Sequence, residues 1–150
     1  MNKGLFGVGS PFGDDQIGWL VVRTAVECGY VERFALSRIE ALDRPGINLL
    51  ERFAGLDMAV VVDAMQSGMN AGTIRRFEQN ELGKDCRMLS GHGLGLAETL
   101  ALGRSLDLLP GHVIVYGIEI GAAGATSQIS ASVEAAMSCL LEKLAADLSS

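Results

Sequence analysis

Two aspartates and one histidine are the side chains whose types and spacing best suit chemistry. Asp15 follows the glycine-rich segment GVGSPFGD, Asp63 follows the apolar run MAVVV, and His92 stands among glycines in SGHGLG. Each lies where a predicted strand ends or a predicted helix begins, so one α/β sandwich would bring all three into one crevice. Carboxylate oxygens and an imidazole nitrogen suit divalent Ni, Zn, Mn or Fe, and three protein ligands leave coordination positions open for a substrate. The sequence therefore makes Asp15, Asp63 and His92 a candidate metal site.

The same residues also have structural interpretations. Asp63 could cap a turn or helix after its strand, although a carboxylate at the end of a buried strand needs water or a polar partner. His92 could be an ordinary turn histidine. For Asp14 we prefer the structural interpretation, in which its carboxylate caps the start of the first helix.

Other chemistries fit the sequence less well. A dinucleotide fingerprint G-x-G-x-x-G would need glycine where Phe12 stands, and Asp14 and Asp15 would repel a pyrophosphate at the helix start. An acyl-enzyme mechanism is disfavoured because the candidate serines lack the G-x-S-x-G elbow; these are Ser10, Ser90 and Ser127. A nucleotide-binding domain remains only a minor alternative.

The cysteines and the second histidine are predicted to have no catalytic part. Cys28, Cys86 and Cys139 are odd in number and widely spaced, which argues against a disulfide framework or a structural zinc site. We interpret them as buried or inert thiols. His112 follows a Pro-Gly pair before a strand and is predicted to lie at the surface.

Composition limits the class of protein. A chain of 150 residues with 49% hydrophobic and 20% charged residues predicts one folded domain over 1–150. The formal charge of -6, without a basic cluster, argues against nucleic acid as a partner. Apolar runs fall short of the roughly 20 residues that cross a bilayer, and polar residues interrupt the region where a signal peptide would lie. A cytoplasmic monomer is therefore predicted.

Hydrophobic periodicity predicts alternating strands and helices. The predicted strands cover 1–8, 30–39, 58–62, 73–77 and 113–118, of which 73–77 is assigned to an edge. The predicted helices cover 14–28, 47–53, the stretch from just after His92 to Gly103, and 130–150. Such alternation predicts an α/β three-layer sandwich, in which a mostly parallel twisted sheet is flanked by helices on both faces.

Three separated segments together resemble the hydrogenase maturation endopeptidases, which trim the C-terminus of the large subunit of [NiFe] hydrogenases. The segment GVGSPFGDDQIG, ending at Gly18, is similar to the family's first strand, loop and acidic helix start. VVVDA, ending at Ala64, resembles the central strand that ends in aspartate, and SGHGLGLAET resembles the histidine segment. Gly117-Ile118-Glu119 and residues 130–136 resemble the last strand and helix, so the likeness spans nearly the whole chain.

The resemblance implies a function for the predicted crevice. Asp15, Asp63 and His92 match the family's three metal-contacting positions. In this family the nickel belongs to the substrate: the protease recognises nickel already placed in the large-subunit precursor and removes the C-terminal extension once. The resemblance therefore implies an endopeptidase without a tightly held cofactor of its own, whose partner is the nickel-loaded precursor.

Several points stay open at this level. A metal-polarised carbonyl, a metal-bound hydroxide and a carboxylate acting as general base through water all fit two aspartates and a histidine. Outer hydrogen-bond partners of the site could be Gln16, Glu98 and Glu119, or these could be polar residues of a helix surface or strand end. A non-cleaving metal- or partner-binding module of the same fold is the alternative function.

Overall fold

A computed structural model of the chain describes residues 1–81, 95–120 and 129–149. The strands are β1 Lys3–Gly9, β2 Leu36–Asp43, β3 Met58–Met65, β4 Ile74–Glu78 and β5 His112–Glu119. The helices are α1 Ile17–Glu27, α2 Tyr30–Arg33, α3 Asn48–Arg52, α4 Leu96–Ser105 and α5 Ala131–Leu148. Short 3₁₀ turns cover Gly13–Gln16 and Gln79–Glu81.

The strands form one sheet in the order β2-β1-β3-β5-β4. All neighbouring pairs are parallel except β4 and β5, which run antiparallel. The prediction that 73–77 forms an edge strand is thus confirmed. Because β1, β2, β3 and β5 point the same way, their C-terminal ends meet at one side of the sheet, which we call the carboxyl edge.

Helices cover both faces of the sheet, which confirms the predicted α/β sandwich. On one face, side chains from α1 and α5 pack on alternate residues of β3, including Val60 and Val62. On the other face, side chains from α3 and α4 pack on the intervening residues, including Ala59 and Val61. Every residue of β3 is buried. A strand covered on both faces explains why the sequence shows a continuous apolar run here and not an alternating one.

Two glycines let α1 lie directly on the centre of the sheet. A Cβ atom on Gly7 of β1 would overlap the carbonyl oxygen of Gly18 in α1. A Cβ on Gly18 would lie 2.5 Å from the carbonyl oxygen of Val8 and 2.9 Å from that of Val62. The glycines of the first motif therefore have a packing role, which accounts for them without a bound nucleotide.

The structure differs from the prediction at the second strand. Residues 30–39 were expected to be extended, but Tyr30–Arg33 is a helical turn and β2 begins at Leu36. Gly29 reverses the chain with φ of 78°, and the rings of Tyr30 and Phe34 then pack edge to face at 5.0 Å. The i, i+4 ring contact requires helical spacing, which outweighs the strand preference of these residues.

The cysteine interpretation is partly wrong. Cys28 and Cys139 are free thiols, as expected, but both are exposed and not buried. Cys86 lies outside the described residues. His112 begins β5 with its side chain 45% exposed, in agreement with the predicted surface position.

A partly buried polar cluster joins α5 to β4 and β5. The Tyr116 hydroxyl of β5 donates a hydrogen bond to Asp147 of α5, and the Arg76 guanidinium of β4 contacts both oxygens of the same carboxylate at 2.9 and 3.1 Å. Burial of Tyr116, together with this hydrogen bond, raises the pKa of its phenol above the ordinary value of 10.0. The cluster therefore links three elements, of which β4 and α5 are far apart in the sequence.

We expect the Tyr116→Phe variant to lose about 1 kcal/mol of unfolding free energy near neutral pH, because one hydrogen bond is removed. Above about pH 10 the unfolded chain releases the phenolic proton while the native state retains it, so native stability falls as the pH rises. The stability gap between wild type and Tyr116→Phe should therefore narrow from pH 9 to pH 11. Urea unfolding at both pH values measures this gap, and a constant gap would contradict the raised pKa.

Among the described helices, none is long and apolar enough to cross a membrane.

Candidate functional site

Asp63 lies inside β3 and does not end it, which corrects the predicted strand boundary. The strand continues to Met65, and Asp63 pairs with Gly117 of β5. Side chains alternate along a strand, so Asp63 faces the α3/α4 side of the sheet, as do Val61 and Met65. The side chain is fully buried, and its Oδ1 accepts the Ala64 N–H at 2.8 Å. The Asp63 carboxyl group therefore lies inside the central strand, two residues before the strand ends at the carboxyl edge.

Asp15 is held against the end of β1 by Ser10. The 3₁₀ turn Gly13–Gln16 folds back so that the Ser10 N–H donates to the Asp15 carbonyl oxygen at 3.2 Å. The Ser10 hydroxyl, which is 1% exposed, donates to Asp15 Oδ2. A Cβ on Gly9 would overlap the Asp15 carbonyl oxygen, so only glycine allows this close return of the chain. Gly9 and Ser10 together fix where the Asp15 carboxylate lies.

Ser10 is a residue that sequence reasoning considered for the wrong role. The sequence around Ser10 lacks the G-x-S-x-G pattern of a nucleophilic serine and does not show the contact with Asp15. The available signal is the position of Ser10 in the short glycine-rich turn that leads to Asp15, where serine side chains often make local hydrogen bonds.

The elements that carry Asp15 and Asp63 are in contact. The 3₁₀ turn Gly13–Gln16 packs against β3, and α1 directly after it approaches the backbone at Val62. The structure thus brings two of the predicted site elements together at the carboxyl edge. His92 falls outside the described residues, so its place in the crevice stays a prediction. Over 1–81, 95–120 and 129–149, no group of three His, Cys, Asp or Glu side chains is arranged to hold a metal ion.

Asp14 has a different partner from the one predicted. Instead of capping the first helix with its side chain, its carboxylate accepts hydrogen bonds from Ser130 N at 2.6 Å and Ser130 Oγ at 2.9 Å. The Ser130 hydroxyl in turn accepts the Val133 N–H at the start of α5. The two adjacent aspartates therefore have separate partners, and Asp14 links the loop after β1 to α5.

The loop after β2 brings a positive charge to the same edge. The Arg44 N–H donates to the Gly9 carbonyl oxygen at 3.0 Å, and Arg44 adopts φ of 42°, a conformation that is rare outside glycine. Its guanidinium contacts the Asp43 carboxylate at 2.7 Å. That hydrogen bond raises the pKa of Arg44, and the nearby Asp15 carboxylate acts in the same direction. The Arg44 guanidinium is therefore paired mainly with Asp43.

The three predicted outer partners behave differently from one another. Gln16 Nε2 donates to the Gly13 carbonyl oxygen at 3.1 Å, within its own 3₁₀ turn. Glu98 is exposed in the first turn of α4, as expected for a helix-surface residue. Glu119 is only 2% exposed at the end of β5, and its carboxylate accepts hydrogen bonds from Ser67 in the loop after β3. Glu119 is therefore a buried anchor at the carboxyl edge.

Three loops at the carboxyl edge each carry a large, exposed apolar side chain. Phe12 follows β1, Ile47 follows β2 and Met69 follows β3, with exposed fractions of 65%, 51% and 51%. The three strands are neighbours in the sheet, so the loops lie side by side. Exposed apolar side chains on neighbouring loops are candidates for a protein-binding surface if they form one patch.

Comparison with known proteins places this arrangement in a family. The model of the hydrogenase maturation protease family, HycI, matches residues 45–147, a range that contains Asp63 and His92 but not Asp15. Among curated proteins, the hydrogenase expression/formation protein HupD of Thiocapsa roseopersicina is 33% identical over 87 residues. That match covers 55% of this chain and 39% of HupD, so the chain spans less than half of that relative.

Solved structures share the fold over nearly the whole chain. The hydrogenase maturating endopeptidase HybD from E. coli superposes with a TM-score of 0.78 at 24% identity, covering 99% of this chain and 92% of its own. The [NiFe] hydrogenase maturation protease HybD from Thermococcus kodakarensis gives 0.78 at 21% identity and covers 100% of both chains. The family model, which matches more than half of the sequence, agrees with this fold. The chain therefore belongs to the hydrogenase maturation protease family.

Proposed function

We propose that this chain is an endopeptidase that removes the C-terminal extension of a [NiFe]-hydrogenase large-subunit precursor after nickel has been inserted. The observation that carries the proposal is the fully buried Asp63 carboxylate in the central strand of a hydrogenase maturation protease fold. Ionisable side chains that are buried within a fold are candidates for a functional role. The Asp15 turn packs against the same strand.

The proposed chemistry is hydrolysis of one peptide bond. A water molecule attacks the scissile carbonyl carbon, its proton passes to a base, and the leaving amine takes up a proton. Asp15 and Asp63 supply carboxylates that can bind a cation or accept the proton of the water, and His92 supplies an imidazole that can do either. Ser10 keeps the Asp15 carboxylate oriented for this task.

Nickel enters the proposal as part of the substrate. Two carboxylates and one imidazole leave coordination positions open, which the precursor's own cysteine thiolates would fill. Recognition of the metal through these residues would make cleavage depend on completed nickel insertion. Cleavage would then act as a checkpoint on maturation, performed by a chain that needs no tightly held cofactor of its own.

The test is incubation of the purified protein with a large-subunit precursor, with and without nickel loading, followed by intact mass measurement. We expect loss of one C-terminal peptide only from the nickel-loaded precursor. Equal cleavage of both samples would support the protease and contradict the nickel checkpoint. Binding of the precursor without cleavage would instead support the alternative of a non-cleaving module.

A second expectation concerns Ser10. The Ser10→Ala variant should reduce the rate of precursor cleavage about 10- to 100-fold, because residues that orient a ligating side chain typically contribute that much. Its fold should be retained, since alanine fits the buried position. Single-turnover cleavage by Ser10→Ala is compared with that of Ser105→Ala, whose hydroxyl bonds only to its own helix at Ala101 among the described contacts. Equal rates for the two variants would show that the Ser10 hydroxyl does not position Asp15.

We propose further that the chain acts in the cytoplasm and as a monomer. The large-subunit precursor would then be its main macromolecular partner. Size-exclusion chromatography with light scattering, performed with and without precursor, tests the monomer and the complex.

A further inference from the structure

Glu119 is a buried carboxylate whose side chain is committed to one loop. The loop 66–73 joins β3 to β4, and Ser67 lies near its start. Both oxygens of Glu119 accept the Ser67 N–H, at 3.0 and 2.9 Å, and Oε1 also accepts the Ser67 hydroxyl. Hydrogen bonds to an ionised group are about twice as strong as neutral ones. The start of the loop is therefore firmly attached to the end of β5.

The backbone of Glu119 holds the other end of the same loop. The Gly72 N–H donates to the Glu119 carbonyl oxygen at 2.8 Å, and the Glu119 N–H donates to the Thr73 carbonyl oxygen at 2.8 Å. Within the loop, the Thr73 hydroxyl donates to the Asn70 carbonyl oxygen at 2.6 Å. One residue thus fixes both ends of the loop, which we call the Glu119 clamp.

Packing on α5 leaves the clamped loop little freedom. A Cβ on Gly72 would lie 2.6 Å from the Ser132 carbonyl oxygen in the first turn of α5, so the loop is in close contact with that helix. The Ile120 N–H donates to the Met65 carbonyl oxygen at 3.0 Å, which joins the clamp to the end of β3. Met65 is only two residues beyond Asp63. The loop is therefore fixed between the ends of β3 and β5 and the first turn of α5, at the carboxyl edge.

At the middle of this fixed loop is Met69, with 51% of its surface exposed. An exposed apolar side chain on a well-held loop is unfavourable in water but well suited to bind a partner, because little conformational freedom is lost on binding. A thioether side chain also adapts to irregular apolar surfaces.

From the clamp and its exposed methionine we propose that Glu119 is a positioning residue for substrate binding, which acts through Ser67 to present Met69 as an apolar contact for the precursor. The proposal rests on the proposed function, since it concerns the substrate of the same site. The partner chemistry is an apolar side chain of the precursor polypeptide. Glu119 itself takes no part in bond cleavage.

The test measures KM and kcat for precursor cleavage separately. We expect Met69→Ser to raise KM about tenfold while kcat stays within about twofold, because the lost apolar contact weakens binding and leaves the reacting groups in place. The matched control is Leu108→Ser, which removes a side chain that is 49% exposed in the loop before β5, at the opposite end of the sheet. An unchanged KM for Met69→Ser would overturn the proposal.

The clamp is tested by Glu119→Gln and by Ser67→Ala, which remove an acceptor and a donor of the same contact. Both should raise KM in the same direction as Met69→Ser and should speed hydrogen exchange at the Ser67 amide, which donates to the Glu119 side chain. If Glu119→Gln does not fold, Ser67→Ala alone decides. A fall in kcat at constant KM, or unchanged amide exchange in Ser67→Ala, would contradict a positioning role.

Different measurements would contradict the proposed protease function and the proposed positioning role of Glu119. If wild-type protein neither binds nor cleaves any precursor, the proposed function is wrong and this proposal falls with it. If wild type cleaves normally and the variants of loop 66–73 keep the wild-type KM, only the positioning role is wrong.

Discussion

The Asp63→Asn variant should lose cleavage of the nickel-loaded precursor by about 10²- to 10⁴-fold and should keep its fold. Asparagine has the same shape and retains an oxygen that can accept the Ala64 N–H, now made at 2.8 Å by Oδ1 of Asp63. What the variant loses is the negative charge, and with it the ability to bind a cation or take a proton from water. Intact mass analysis of the precursor over time measures the rate, and the thermal midpoint checks the fold.

A matched control removes the same charge elsewhere. Asp107 is exposed in the loop after α4 and has φ of 57°, a conformation that asparagine also tolerates. Asp107→Asn should therefore cleave at the wild-type rate. If Asp63→Asn cleaved as fast as Asp107→Asn, the Asp63 carboxylate would have no part in the reaction.

The Gly18→Ala variant should be strongly destabilised. A Cβ at this position would lie 2.5 Å from the carbonyl oxygen of Val8 and 2.9 Å from that of Val62, and both are backbone atoms of central strands. Neither strand can move away without breaking the sheet, so we expect a loss of about 3 kcal/mol or more. This exceeds the roughly 1 kcal/mol by which alanine favours a helix over glycine. The thermal midpoint should fall by about 6–12 °C.

Gly111 provides the comparison for this effect. A Cβ there would have only the Asp57 carbonyl oxygen within 4 Å, at 3.9 Å, which is ordinary contact. Gly111→Ala should therefore change the unfolding free energy by no more than about 1 kcal/mol. Urea unfolding of the two variants would reveal the difference, and equal midpoints would mean that α1 does not lie as close to β1 and β3 as described.

The central strand shows how far local sequence determines this fold. An apolar, β-branched run predicts a strand covered on both faces, and β3 is buried along its whole length. The predicted strand ends at residue 62, because a charged residue usually terminates a buried strand, whereas β3 continues to Met65. Asp63 instead continues the ladder, since its backbone pairs with Gly117 and its side chain bonds to Ala64. Asp63 therefore lies inside the strand, two residues before its end, and not directly after it.

Contacts between distant residues explain what the sequence alone did not predict. Glu119 and Ser67 are 52 positions apart, and Asp14 and Ser130 are 116 apart. No local periodicity or spacing encodes such pairs, because they depend on which strands become neighbours. Glu119 was recognised only as a polar residue that could support the site. Glu119 meets its partner Ser67 because β5 pairs with β3, so that the end of β5 lies beside the loop that follows β3.

The strand order also limits how a polypeptide can reach Asp63. β3 lies between β1 and β5: residues Met58–Val62 pair with β1, and the whole strand, including Asp63, pairs with β5. The outer sides of the sheet belong to β2 and β4, each separated from β3 by one strand. A strand added at either edge of the sheet would therefore lie beside β2 or β4 and not beside Asp63, so an approach along the strand axis, between the loops, fits this strand order better. Such an approach favours a protruding tail over a segment in the middle of a folded domain, so the topology itself would discriminate in favour of chain ends.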